Sequence, residues 1–321
     1  MLMLSTKFTK TYDIIDFEMK IPITQSKEWQ KLQENLGEIT FHKKDNDYQY
    51  LTVLKSTPVG NYLYCPYGPI AEDTTGFKKA INSLQELAEE HSVTFIRIEP
   101  FEKSQAKYLP KNAKKSTDLN PKETWLLDLT GNDEDLKAKL PSRLLRYYKQ
   151  AVNKGITIEK SHSPEDIHYL LALQKALAKE KGINTFSEKY LMTELRQPFA
   201  TLYLLKKDDK VEAAGLVFDD KDTRYNLQGA QTEEGRKLHA TGILTIQLIL
   251  DAKEKGLKTF DFWGIAPEGA PKSHPWAGFT NFKKTFKGYE FDHAGTYDIV
   301  LKPVKYKLYQ LTRKLNRLIR K

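Results

Sequence analysis

The sequence predicts an α/β (α+β) protein in which one structural order is used twice, mixed sheets being flanked by helices. Two regions carry this reading. In the first, DYQYLTVLKST (47–57) and GNYLYCPYG (60–68) read as paired strands separated by Pro58. GFKKAINSLQELAEEH (76–91) sets Ile81, Leu84, Leu87 and Ala88 on one helical face, and VTFIRIEP (93–100) is a buried strand stopped by Pro100. In the second, ATLYLLKKDDKVEAAGLVFDD (200–220) is a hairpin turning at Asp208 and Asp209, and TRYNLQGAQ (223–231) is a strand. GILTIQLILDAKEKG (242–256) is then a helix ending at Gly256, and KTFDFWGI (258–265) a further apolar strand. The echo is one of structure, without sequence identity, and marks a weak internal duplication. Such an order folds as an α/β sandwich whose helix N–H groups are exposed at one end, where an anion can bind.

The remaining elements follow in order. A polar stretch (111–123) leads into the strand TWLLDLT (124–130). LPSRLLRYYKQAVNKGITIEKS (140–161) is helical in its centre and ends near Gly155. Arg143, Arg146, Lys149 and Lys154 make it either a solvated face or a positive rim facing a phosphate-rich ligand. The loop TEEGRKLHATG (232–242) has the place and the glycines of a pyrophosphate loop, but also Glu233 and Glu234, so acyl-CoA is only weakly indicated. KPVKYKLYQLTRKLNRLIRK (302–321) places Leu308, Leu311, Leu315 and Leu318 on one stripe. It predicts an amphipathic helix docked on the body, its basic outer face available to RNA or anionic lipid.

Bulk properties narrow the function classes. The chain has 321 residues, 40% hydrophobic and 29% charged, enough for two domains and inconsistent with disorder. The net charge of +9 suits a polyanionic partner without choosing among nucleic acid, phosphorylated substrate and membrane. No apolar run approaches the ~18–20 residues of a membrane span, and MLMLSTKFTKTYDIIDFEMK is too quickly charged for a signal peptide. The lone Cys65 suits the cytosol and reads as a packed residue. The seven histidines show no CxxC or HExxH spacing, so no metal is expected.

The ordered set ITQSKEWQKLQ (23–33), YCPYGPIAED (64–73), NPKETWLLDL (120–129), LPSRLLRYYKQAVNKGITIE, LAKEKGINTFSEKYL, TFDFWGI and NFKKTF resembles the Fem-type aminoacyltransferases, which build peptidoglycan interpeptide bridges. The resemblance spans nearly the whole chain. It implies two acetyltransferase-like (GNAT-type) domains in tandem, residues 1–138 and 139–301, with a C-terminal helix (302–321) returning to the first, and no coiled-coil arm. It implies aminoacyl-tRNA as donor substrate, no bound cofactor, and a UDP-linked or lipid-linked muropeptide precursor as acceptor. The expected location is the cytoplasm, including a peripheral position at the inner face of the membrane.

By the same resemblance, Lys283 stabilises the oxyanion or a tRNA phosphate and the Phe282 carbonyl orients the attacking amine. Tyr190 matches a substrate-binding tyrosine. Three positions depart from the pattern: Gln33 stands for a lysine, with Lys31 nearby; Phe186 for an arginine; and Leu227 for a tyrosine, with Tyr225 nearby. Those groups grip a nucleotide pyrophosphate in the compact members. Their loss leaves open a lipid-linked acceptor or another phosphate grip, for which Arg143 and Arg146 are the candidates. Transfer from acyl-CoA, transfer to a protein N-terminus, and a non-catalytic RNA- or membrane-binding role remain as alternatives.

Overall fold

A computed structural model describes residues 21–181, 185–274 and 276–319. The opening segment 1–20 and the Leu318 side chain lie outside them.

The expected doubling appears as two mixed sheets of seven strands each. The first runs Ile39–Lys44, Tyr48–Lys55, Tyr62–Cys65, Phe95–Ile98, Tyr297–Val300 and Ala113–Lys115, with Ile70–Ala71 beside Tyr48–Lys55. The second runs Tyr289–Asp292, Glu123–Asp128, Thr259–Gly264, Thr223–Gln231, Lys210–Asp219, Ala200–Lys207 and Ile156–Ser161. Each sheet holds one parallel pair: Tyr62–Cys65 with Phe95–Ile98, and Thr223–Gln231 with Thr259–Gly264. Parallel neighbours need a crossover, and the helices Thr74–Glu90 and Ala240–Glu254 supply it.

The local reasons are visible in the residues. Asp73 caps the first of these helices by accepting the Gly76 N–H at 2.7 Å. Phe77, Ala80, Ile81, Leu84 and Ala88 then face the first core, with Leu87 half-buried beside them. The second helix packs Ile243, Leu244, Ile246, Leu248 and Ile249 into the core of the second sheet, and the helix Ser142–Ala151 lies against it through Leu144 and Leu145. The hairpin turns at Asp208 and Asp209 with φ of 49° and 62°, the two left-handed residues that a tight turn of matching twist needs. The stretch 232–242, read as a loop, contains a short helix, Glu233–Lys237.

The sheets exchange strands. Glu123–Asp128 comes before the division at 138/139 yet pairs with Thr259–Gly264 in the second sheet. Tyr297–Val300 comes from the far end of the second region yet pairs with Phe95–Ile98 in the first. Each sheet also holds one fully buried arginine. Arg97 forms a fork with Asp298 (Nε–Oδ1 2.7 Å, Nη2–Oδ2 2.8 Å), and Arg224 pairs with Asp219 (2.6 Å) and Asp251 (2.8 Å).

The helix Pro303–Ile319 returns to the first sheet as expected, but not by the expected face. Tyr306 and Tyr309 pack on Phe95 at ring distances of 5.2 and 4.8 Å. Leu308, Leu311 and Leu315 are instead 50%, 58% and 57% exposed. The tyrosines win because they answer a need that leucines cannot. Tyr306 Oη donates to Asp298 (2.9 Å) and Tyr309 Oη accepts from Arg97 (3.2 Å), completing the hydrogen bonds of a buried ion pair.

Candidate active site

The parallel ladder of the second sheet ends early. It runs from Thr223↔Thr259 only to Tyr225↔Asp261, although both strands continue. Beyond that point the register of Thr259–Gly264 against Glu123–Asp128 slips between Asp261 and Gly264. The cause is local. Asp261 Oδ1 accepts the Trp263 amide at 2.7 Å, two residues on, as short polar side chains do in turns. Trp263 is thereby held at φ 66°, a left-handed conformation that costs a bulky residue roughly 1–3 kcal/mol. Gly264 follows by necessity, since a Cβ there would come within 2.5 Å of the Pro121 ring. Strain of this size is kept where the surrounding structure over-determines it, and it gathers at working sites.

The splay borders a narrow cleft between the two sheets, with a cavity of about 20 Å³. Ile23, Thr24 and Tyr67 line one side, and Tyr225, Asp261 and Trp263 the other. Tyr67 meets Trp263 edge-on at 5.7 Å and stacks on His293 at 4.1 Å. Tyr225 is buried, and its hydroxyl accepts the Ile23 N–H at 3.3 Å.

The helix Ala277–Lys284 is fastened to the exit of the splayed strand by two contacts. Thr280 Oγ1 accepts the Ala266 N–H at 2.7 Å, and Lys283 Nζ donates to the Gly264 carbonyl at 2.6 Å. Burial pulls the Lys283 pKa down to about 8, while the charge of Asp261 acts in the opposite direction. At pH 7 the side chain is therefore mainly an ammonium, half-buried and partly withdrawn from water. Its neighbour Lys284 points elsewhere, donating to Glu290 at 3.2 Å and lying over the Trp125 ring.

Phe282 is placed differently from its expected role. Its ring packs edge-on against Phe286 at 5.5 Å, and its carbonyl accepts both the Thr285 amide (3.1 Å) and the Thr285 hydroxyl (2.6 Å). With two donors already on it, that oxygen is committed within the helix end rather than to an incoming amine. Lys31 is exposed on the helix Lys27–Asn35 and is not among the cleft residues, while Gln33 is buried. Tyr190 is half-buried, stacked on Phe186 at 4.9 Å with its phenol beside Glu194.

Arg143 and Arg146 form a second locus. Their guanidinium groups lie 5.5 and 5.6 Å from the Tyr147 ring centre, and Arg143 Nε donates to the Tyr147 hydroxyl at 2.9 Å. Tyr147 stacks flat on His239 (4.4 Å, 3°), the residue that immediately precedes the helix Ala240–Glu254. Both arginines are exposed, so two cations stand near the N-terminal end of a fifteen-residue helix, where the Thr241 N–H already donates to Gln231 Oε1 at 3.2 Å.

Sequence reasoning missed Asp261, Trp263 and Glu194. The first two had a signal in the Asp-Phe-Trp-Gly run, an acid two residues before a tryptophan with glycine following. Glu194 had none. It is 1% exposed and accepts the Gln228 side-chain amide at 2.7 Å. Burial pushes its pKa up to about 8, so the carboxyl stays protonated at neutral pH. Between the ordinary carboxylate range and about 8 the unfolded chain releases a proton that the folded chain keeps, so this group's contribution to stability falls as pH rises. Urea unfolding of Glu194→Gln at pH 5.5, 7 and 8 should show a flatter pH dependence than wild type, by up to about 1.4 kcal/mol per pH unit. Parallel curves would place the ionised form in the native state.

Residues 192–314 match the FemAB family, and that stretch contains the splayed strands, Asp261, Trp263 and Lys283. That match covers less than half of the chain. The whole fold agrees with that placement. The crystal structure of FemX superposes with a TM-score of 0.76 at 17% identity, covering 89% of this chain and 94% of that one. The C-terminal domain of a putative lysylphosphatidylglycerol synthetase from Agrobacterium fabrum gives 0.60 at 16% identity, over 90% and 92%. L-PGS from Bacillus licheniformis gives 0.56 at 14%, over 90% and 96%. At these identities the likeness is one of fold. No curated protein matches the sequence significantly.

Proposed function

We propose that this chain transfers an aminoacyl group from aminoacyl-tRNA to an amine on the stem peptide of a peptidoglycan precursor. The observation that supports it most is Lys283, a half-buried ammonium anchored on the Gly264 carbonyl at the exit of the splayed strand, within the field of Asp261. In this reaction the acceptor nitrogen attacks the ester carbonyl, a C–N bond forms, and negative charge gathers on the carbonyl oxygen. The C–O bond to the tRNA ribose then breaks, the ribose oxygen takes a proton, and the amide remains. A fixed, partly desolvated cation stabilises that oxygen more in the transition state than in the ester. Giving up its contact with the Gly264 carbonyl is the adjustment that Lys283 must make to reach a substrate oxygen.

The test is transfer from mixed charged tRNAs to UDP-linked and lipid-linked precursors supplied separately, with an acyl-CoA arm alongside. Transfer from acyl-CoA alone, or none from any charged tRNA, overturns the reading.

Arg143 and Arg146 are read as the phosphate grip for the acceptor. Their joint change to Ala should weaken precursor binding at least tenfold, about 1.4 kcal/mol, as charge-assisted contacts to phosphate are worth roughly that or more. Transfer RNA affinity and thermal stability should hold. Calorimetric titration with the precursor decides it, and an unchanged Kd removes these arginines from the site.

A further inference from the structure

The fold uses one face of the helix Pro303–Ile319. Tyr306 and Tyr309 dock on Phe95, while Val304, Leu308, Leu311 and Leu315 are 82%, 50%, 58% and 57% exposed. At about 100° per residue the two sets lie roughly 160° apart, so the exposed stripe is almost opposite the docked one. Lys305 borders the stripe on one side and Lys307 and Lys314 on the other, all exposed. The seventeen residues PVKYKLYQLTRKLNRLI include no Asp or Glu. Lys114, from the edge strand Ala113–Lys115, joins Lys307, Arg313 and Lys314 along a groove at the helix's side.

We propose that this helix lies on an anionic phospholipid surface, its leucines at the acyl boundary and its flanking lysines among the headgroup phosphates. An apolar stripe bordered by cations and free of acids is the pattern that such an interface accepts, the leucines leaving water and the lysines meeting negative charge. A second copy of the chain fits less well. The 4-3-4 spacing would also make a dimer seam, but its flanking positions are Lys305, Lys307, Thr312 and Lys314, so two copies would oppose like charges. RNA would engage the lysines and leave the leucines wet. Among the described residues no helix is long and apolar enough to cross a membrane, so the contact is peripheral. This inference is independent of the reaction proposed above.

Flotation of the full chain with vesicles of phosphatidylcholine, with and without about 30% phosphatidylglycerol, tests it. The wild type should float with the anionic vesicles and not with the neutral ones. Leu308→Gln/Leu311→Gln/Leu315→Gln should lose at least about tenfold in partitioning, by the area-scaled loss of apolar burial. Lys305→Gln/Lys307→Gln/Lys314→Gln should lose about fivefold per charge. Melting temperature and sedimentation should match wild type in both, since the changed side chains are exposed. Failure of the wild type to bind anionic vesicles overturns the proposal, and so does a leucine variant that floats like wild type. Two further results would do the same: a wild-type dimer broken by the leucine changes, or transcript binding lost with them while vesicle binding stays.

Discussion

Lys283→Met should slow single-turnover transfer by roughly 10²–10³-fold, about 3–4 kcal/mol, which is the usual loss when one preorganised electrostatic stabiliser is removed. Lys284→Met, one residue along and paired with Glu290 on the surface, should change it little. The pH dependence separates a cation from a base. With a pKa near 8, Lys283 is an ammonium below that value and neutral above it. The ratio of wild-type to Lys283→Met rates should therefore shrink as pH rises past about 8. A ratio that grows instead would make the neutral amine the working form, and a ratio of one throughout would move the lysine out of the site. Stability should be kept or raised by the substitution at pH 7. Between about 8 and its ordinary value the unfolded lysine holds a proton that the folded one has lost, so its contribution to stability improves only as pH rises through that window.

The second large effect lies away from the chemistry. Arg97→Ala should lower the unfolding free energy by about 3–5 kcal/mol, because it leaves the Asp298 carboxylate buried without its partner. The loss should be read from urea unfolding, and it should come with loosening of the C-terminal helix, since Tyr309 gives up its donor. Arg97→Met combined with Asp298→Leu should recover most of the loss, as apolar pairs replace buried ion pairs with little penalty. A double variant as unstable as Arg97→Ala would show that the tyrosine contacts, not the lone charge, carry the effect.

Much of this was legible in the residues, and the misses have physical causes. The strands Thr223–Gln231 and Thr259–Gly264 and both crossover helices follow from period, β-branched and aromatic content, and a cap or a terminal glycine. Lys283 was singled out by the motif order around it. Asp261 and Trp263 were missed although the Asp-Phe-Trp-Gly run carried a signal, because what makes them a site is a left-handed backbone at a bulky residue, which the period of an apolar strand hides. The C-terminal helix shows a different limit. Periodicity reveals that leucines share a face but not what covers it. The partner that decides, the buried Arg97–Asp298 pair, joins residues 201 positions apart.

The exchanged strands bear on how the molecule comes apart. Glu123–Asp128 and Tyr297–Val300 each sit inside the sheet built mainly by the opposite half of the chain. Severing the backbone near residue 138 would give two fragments, each carrying a strand that belongs to the other and each missing one of its own. Neither alone would close its hydrogen-bond ladder, whereas the two mixed together could reassemble by mutual complementation. Melting of the intact chain should accordingly register as one calorimetric event, with amide protons in both sheets becoming exchangeable in concert.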